Sequence, residues 1–84
     1  MFRHVIAAEY RGQYRVWLQF SDGSTGEIDL ESLLEGPVFE PLKDINYFKT
    51  VRFDADAHTI AWDNGADFAP DFLHQLLAAP AAAR

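Results

Sequence analysis

Few residues in this chain are able to do chemistry, and their spacing decides how far each can be taken. There are three histidines, His4, His58 and His74, and no cysteine. Without cysteine there is no thiolate nucleophile, no disulfide and no thiolate–zinc site. No two histidines share the close spacing of a metal motif, and a metal site needs three or four converging ligands. No metal is expected. His74 follows Asp71 at a spacing that sets both on one helix face, an ordinary surface pairing. Ser21 and Ser24 read as turn formers, and Ser32 as a first-turn helix residue. None of them lies in a Gly-x-Ser-x-Gly elbow. Gly12, Gly23, Gly36 and Gly65 stand singly at turns or element ends, with Gly26 inside a strand, so there is no phosphate-binding loop. No cofactor is expected and no catalytic residue is assigned. The reading is of a chain that is not an enzyme.

The acids are more numerous. Asp54 with Asp56, and Asp63 with Asp67, have the proximity a glycosidase or a cation site would use. Asp56 and Asp63 fall in turns, where Asp bonds its own backbone, and Asp54 ends a strand. Asp67 stands ahead of the last helix, where it is placed to cap backbone N–H groups. From residue 53 onward these four and Asp71 face only Arg84. Over the whole chain thirteen acids meet seven bases, a net charge of −6. The C-terminal third therefore presents an acidic surface. Such a surface serves solubility, or it steers a basic partner protein. The charge argues against direct nucleic-acid binding, which needs a basic face.

The elements that must position these residues follow from periodicity. The 84 residues, 49% hydrophobic and 14% aromatic, suit one small domain able to fold alone. Its span is set at residues 1–77, with an Ala/Pro tail at 78–84. Val5 to Tyr10 reads as a strand, and Gly12 as a turn. Gln13 to Phe20 alternates, with Tyr14, Val16, Leu18 and Phe20 on one face and Arg15, Trp17 and Gln19 on the other. A turn at Ser21–Ser24 leads to a third strand, Thr25 to about Leu30, completing an antiparallel meander. Asp29 is placed to cap a short helix running to Glu35, closed by Gly36-Pro37. Val38, Phe39, Leu42, Ile45 and Phe48 imply one or two further helical turns, interrupted at Pro41 and Asp44. Phe48–Asp54 and Thr59–Asp63 form a hairpin in which Val51 and Phe53 meet Ile60 and Trp62. Ala66–Phe68 adds a short edge strand. Pro70 opens a final helix with Phe72, Leu73, Leu76 and Leu77 on one stripe. The fold class is α+β: a meander, a short central helix, a hairpin and a C-terminal helix on the sheet.

No apolar run approaches the ~18 residues of a membrane span. The opening Met-Phe-Arg-His-Val-Ile-Ala-Ala-Glu meets charge too early for a secretory leader. A soluble, cytoplasmic chain without a membrane partner is expected.

The order of signals resembles a bacterial family known as domain of unknown function 2442. The residues that carry the resemblance begin with Phe20-Ser21-Asp22-Gly23, Ile28-Asp29-Leu30 and Gly36-Pro37-Val38-Phe39-Glu40-Pro41-Leu42-Lys43-Asp44. Phe48 with Val51 follows, then Ile60-Ala61-Trp62-Asp63-Asn64-Gly65-Ala66-Asp67-Phe68-Ala69-Pro70. The Trp-x-x-Gly-Ala-Asp-x-x-Pro string is the most specific part. The resemblance covers about residues 3–77. It implies a small α+β domain without established enzymatic activity. Some relatives carry a helix-turn-helix domain after this one, and others are lone small proteins encoded beside a second, in the manner of toxin–antitoxin pairs. This chain stops soon after the last helix, which favours the lone arrangement.

Two functional readings come from these signals. The first is a protein-interaction module, antitoxin-like or accessory to another small protein. Its interaction residues would be Trp17, Asp54, Asp56, Asp63 and Asp67. Trp17 opposes the Tyr14–Phe20 row, so it needs cover from a helix, a partner or a second copy unless helices line both faces or Trp17 itself faces the core. Edge strands of a small open sheet invite a homodimer. The second reading is a small-ligand regulatory domain of sensor type, lacking a DNA-binding half, with a pocket lined by Trp62, Phe68 and Phe72.

Overall fold

Alternation at strand period, broken by turn residues, sets the first half of the molecule. The computed structural model describes residues 4–78. Strands β1 (Val5–Tyr10), β2 (Arg15–Phe20) and β3 (Thr25–Asp29) form an antiparallel sheet in the order β1-β2-β3. Its ladder sets Ala8 opposite Leu18 and Leu18 opposite Gly26, while Glu9, Trp17 and Glu27 form the neighbouring row. β2 starts at Arg15 rather than Gln13. Gly12 and Gln13 both take positive φ (98° and 53°), and Arg15 N–H bonds Gly12 O at 2.9 Å, so the chain is still turning there. A register shift between Val5 and Ala7 leaves Ile6 exposed.

The middle is tighter than the expected helix. Asp29 Oδ1 accepts from Glu31 N–H at 2.9 Å and starts a single 3-10 turn, Glu31–Leu33. A second 3-10 turn, Glu40–Lys43, carries Pro41 in its first turn, where a missing N–H is harmless. Asp44 then caps α1 (Ile45–Phe48) by accepting from Asn46 N–H at 2.9 Å. Pro41 and Asp44 therefore begin elements and do not interrupt one.

The hairpin is shorter than its apolar pattern implies. β4 (Arg52–Asp54) pairs with β5 (Thr59–Ala61), Phe53 facing Ile60. Val51 stays outside the ladder because Phe48 belongs to α1 and the chain must first turn back. Trp62 leaves the strand altogether. The expected edge strand at 66–68 is one bridge between Ala61 and Asp67. α2 (Pro70–Ala78) closes the fold. The Ala/Pro tail lies outside the described residues, apart from Ala78 at the end of α2.

The core gathers Val5, Val16, Leu18 and Phe20 from the sheet, Leu30, Leu34, Leu42 and Phe48 from the middle, and Ile60, Trp62 and Leu73 from the rest. Trp62 sits at its centre, 1% exposed. Its indole Nε1–H donates to Phe48 O at 2.9 Å, and its ring packs on Phe48 at 5.4 Å. α2 approaches β3 so closely that a Cβ at Gly26 would lie 2.2 Å from Leu77 Cδ1. Among the described residues, no helix is long and apolar enough to cross a membrane.

Trp62→Phe removes the buried donor and part of the ring volume. It should lower the unfolding free energy by about 1–3 kcal/mol. Urea denaturation followed by circular dichroism checks this, and an unchanged midpoint would remove Trp62 from its central place.

Candidate functional site

Strand alternation sends Trp17 to the sheet face away from the core, where it is half-buried. Its cross-strand neighbours on either side are Glu9 and Glu27. The turn after β1 brings the Arg11 guanidinium over the indole, 5.7 Å from the ring centroid. Arg11 Nη2 also pairs with Glu9 Oε1 at 2.9 Å, and Arg15 Nε with Glu27 Oε2 at 3.2 Å. All four charged side chains are 42–64% exposed, so each pair adds little to stability. What they do is fix an ordered rim of charge around an aromatic surface.

The sequence-predicted aspartates do not converge on Trp17 as one cluster. Asp54 is spent on its turn: Oδ1 accepts from Asp56 N–H at 2.9 Å and Ala57 N–H at 3.2 Å. Asp56 is exposed in the same turn. Asp63 accepts from Arg52 Nε at 3.3 Å, and Arg52 also lies 3.9 Å from Asp54. Asp67 is exposed and contributes its backbone to the bridge with Ala61. The pocket candidates do come together. Trp62 and Phe68 meet edge-on at 6.0 Å, and Phe68 stacks on Phe72 at 6.1 Å. Phe72 is 38% exposed, so this aromatic row runs from the core to the surface.

A serine, a histidine and an aspartate also meet in space. His74 Nε2 lies 3.0 Å from Asp22 Oδ2 and 3.3 Å from Ser24 Oγ, with its ring edge-on to Phe20 at 5.0 Å. His74 thus joins Asp22 in the β2–β3 turn, not the neighbouring Asp71 that helix spacing suggests. A proton relay needs serine and carboxylate on different ring nitrogens. Here both share Nε2, so the trio fastens α2 to the turn and is not a nucleophilic triad. Sequence spacing gave no signal for it, because Asp22 and His74 lie 52 positions apart. Among the described residues, no three His, Cys, Asp or Glu side chains gather as a metal site would require.

Residues 5–76 match the family described as Protein of unknown function (DUF2442). The chain belongs to this family. No curated protein matches it. Among solved structures, a candidate DNA-binding protein from Nitrosomonas europaea ATCC 19718 is similar, with 25% identity and a TM-score of 0.76. The match covers 89% of this chain and 48% of that one, so the chain spans about half the length of that protein. This likeness overturns the expectation of no direct nucleic-acid contact. That expectation came from net charge, which averages the whole surface, whereas a nucleic acid meets a patch and its phosphates answer to local cations. In this DUF2442 chain, Arg11 and Arg15 flank one aromatic face despite the overall charge of −6.

The Asp22 carboxyl is held down to about 2, from an ordinary 3.8, first by the Ser24 N–H, then by the Ser24 hydroxyl and His74. A lowered carboxyl favours the fold above its unfolded pKa, and that support fades as pH drops through the folded value. The stability gap between wild type and Asp22→Ala should therefore be constant above pH 3.8 and close as pH falls towards about 2. Chemical denaturation across that range checks it, and a gap that persists at the acid end would break the assignment.

Proposed function

We propose that this chain is a non-catalytic recognition module that docks a protein partner on the open face of its three-stranded sheet. The observation that carries this reading is Trp17, half-buried on the face opposite the core and ringed by Glu9, Arg11 and Glu27. Trp17 lies outside the core cluster, covered in part by its own strand neighbours and Arg11. Trp and Arg are the residue types that dominate binding energy at interfaces. The ion-paired rim provides orientation and discrimination more than affinity. A module of this kind suits the antitoxin-like or accessory half of a two-protein system. The aspartates at 54, 56, 63 and 67 would then act as outlying steering charges.

A second reading, a small-ligand regulatory domain, draws on the row Trp62, Phe68 and Phe72, which opens to the surface at Phe72. A ligand stacking on Phe72 would raise the melting temperature by mass action.

The deciding experiment is capture from source-cell lysate, with and without nuclease treatment, using the tagged chain and Trp17→Ala. The wild type should retain a specific protein, and Trp17→Ala should weaken retention by at least roughly tenfold while melting normally. Equal retention by both proteins would remove Trp17 from the interface. Capture that disappears on nuclease treatment would transfer the function to nucleic acid.

A further inference from the structure

Among the described residues, β3 pairs with a strand on one side only. It is the last strand in the order β1-β2-β3. On the opposite side, the edge of β1 is partly closed, because Val5 N–H donates to His58 O at 2.9 Å. The bonding phase along β3 is set by two contacts at its ends. Leu30 N–H donates to Tyr14 O at 2.9 Å and Phe20 N–H to Ser24 O at 2.8 Å. Antiparallel bonding alternates, so Gly26 and Ile28 bond to β2, while Thr25, Glu27 and Asp29 turn N–H and C=O outward. These three residues are exposed.

We propose that this edge adds a strand from a partner protein, and that the partner strand carries Arg or Lys at alternate positions. The inference rests on the recognition reading above and names its contact. Charge complementarity selects the occupant. Glu27 and Asp29 lie on the same sheet face as Trp17, Glu27 directly cross-strand from it. Arg15 pairs with Glu27 and stands opposite Asp29, which also accepts from Glu31 N–H, so two carboxylates share one guanidinium and the edge keeps a net negative charge. An added strand must present side chains opposite these two carboxylates, where opposite charges stabilise and like charges repel. A second copy is disfavoured at this position. Antiparallel self-pairing about Glu27 would set Glu27 against its own counterpart. Strand addition of this kind draws affinity from main-chain bonds and specificity from alternate side chains. An arginine opposite Glu27 would also point across it towards the Trp17 indole, the position that Arg11 already approaches from within the chain.

The test uses the ¹⁵N-labelled protein with two capped synthetic peptides, one alternating Arg and Val, the other Glu and Val. Amide hydrogen exchange is read residue by residue. With the Arg/Val peptide, exchange at Thr25, Glu27 and Asp29 should slow by roughly tenfold or more, with Gly26 and Ile28 unchanged. Glu27→Lys, an exposed change, should reverse the preference between the two peptides. Absence of slowing at millimolar peptide, or equal slowing by both peptides, overturns strand addition. Protection of the same amides by duplex DNA instead of peptide also overturns it. Capture that depends on Trp17 while the β3 amides stay unprotected would leave the recognition reading standing and remove only this inference.

Discussion

The fold depends on one buried indole. Trp62 is where the hairpin, the short helix α1 and the approach to α2 meet. Its main chain holds a turn, with Trp62 N–H on Ala66 O at 2.9 Å and Gly65 N–H on Trp62 O at 3.1 Å. Its side chain reaches the other way, to the carbonyl of Phe48 at 2.9 Å. A polar group buried without a partner is costly, so the indole N–H accepts only positions of α1 that present that carbonyl. α1 is four residues long and could not hold a position by its own propensity. Its place is set by Phe48, which packs on Trp62 at 5.4 Å and on Tyr14 at 5.2 Å, while the Tyr14 hydroxyl bonds the carbonyl of Lys43. The irregular middle is therefore pinned between the sheet and one tryptophan.

α2 is attached by different means. Phe68, just ahead of it, is anchored by Thr59 Oγ1–H on its carbonyl at 2.5 Å. Beyond that, α2 relies on Leu73 in the core, on the absent side chain of Gly26 beneath Leu77, and on His74 against the β2–β3 turn. A glycine inside a strand weakens it locally. Here it lets the helix lie close to β3 on the core side. The same helix position explains why Asp22, a turn residue, has a helix partner at all.

The sequence carried the strands well and the middle poorly, and the difference is physical. Val16, Leu18 and Phe20 alternate because β2 is central and buried on one face, so period 2 was readable and correct. Gln13 also fitted the alternation, but the left-handed backbone at Gly12 and Gln13 overrode it. Val51 and Trp62 matched a hairpin pattern only because both are apolar. Their burial comes from tertiary contacts that no local period encodes. Asp29 was legible as a cap, since Asp bonds the amides two or three positions on, but Asp44, which reads as a break, and Asp54, which reads as a strand end, make the same bonds. The meeting of Asp22, Ser24 and His74 was not legible, because nothing local couples a hairpin turn to a helix fifty residues later.

Charge shows the same division between sum and placement. Thirteen acids and seven bases predict an acidic surface and nothing finer. Pairing across strands then decides where the charges act. Arg52 is shared between Asp54 and Asp63, so the hairpin neutralises part of its own acidity. On the open sheet face, register sets Glu9 and Glu27 on either side of Trp17, and two arginines answer them. Trp17 sits half-buried at the centre of that rim, with Arg11 over its ring, so register and not total charge decides what surrounds it. The proposed recognition role therefore rests on the placement of Trp17 and not on the total charge.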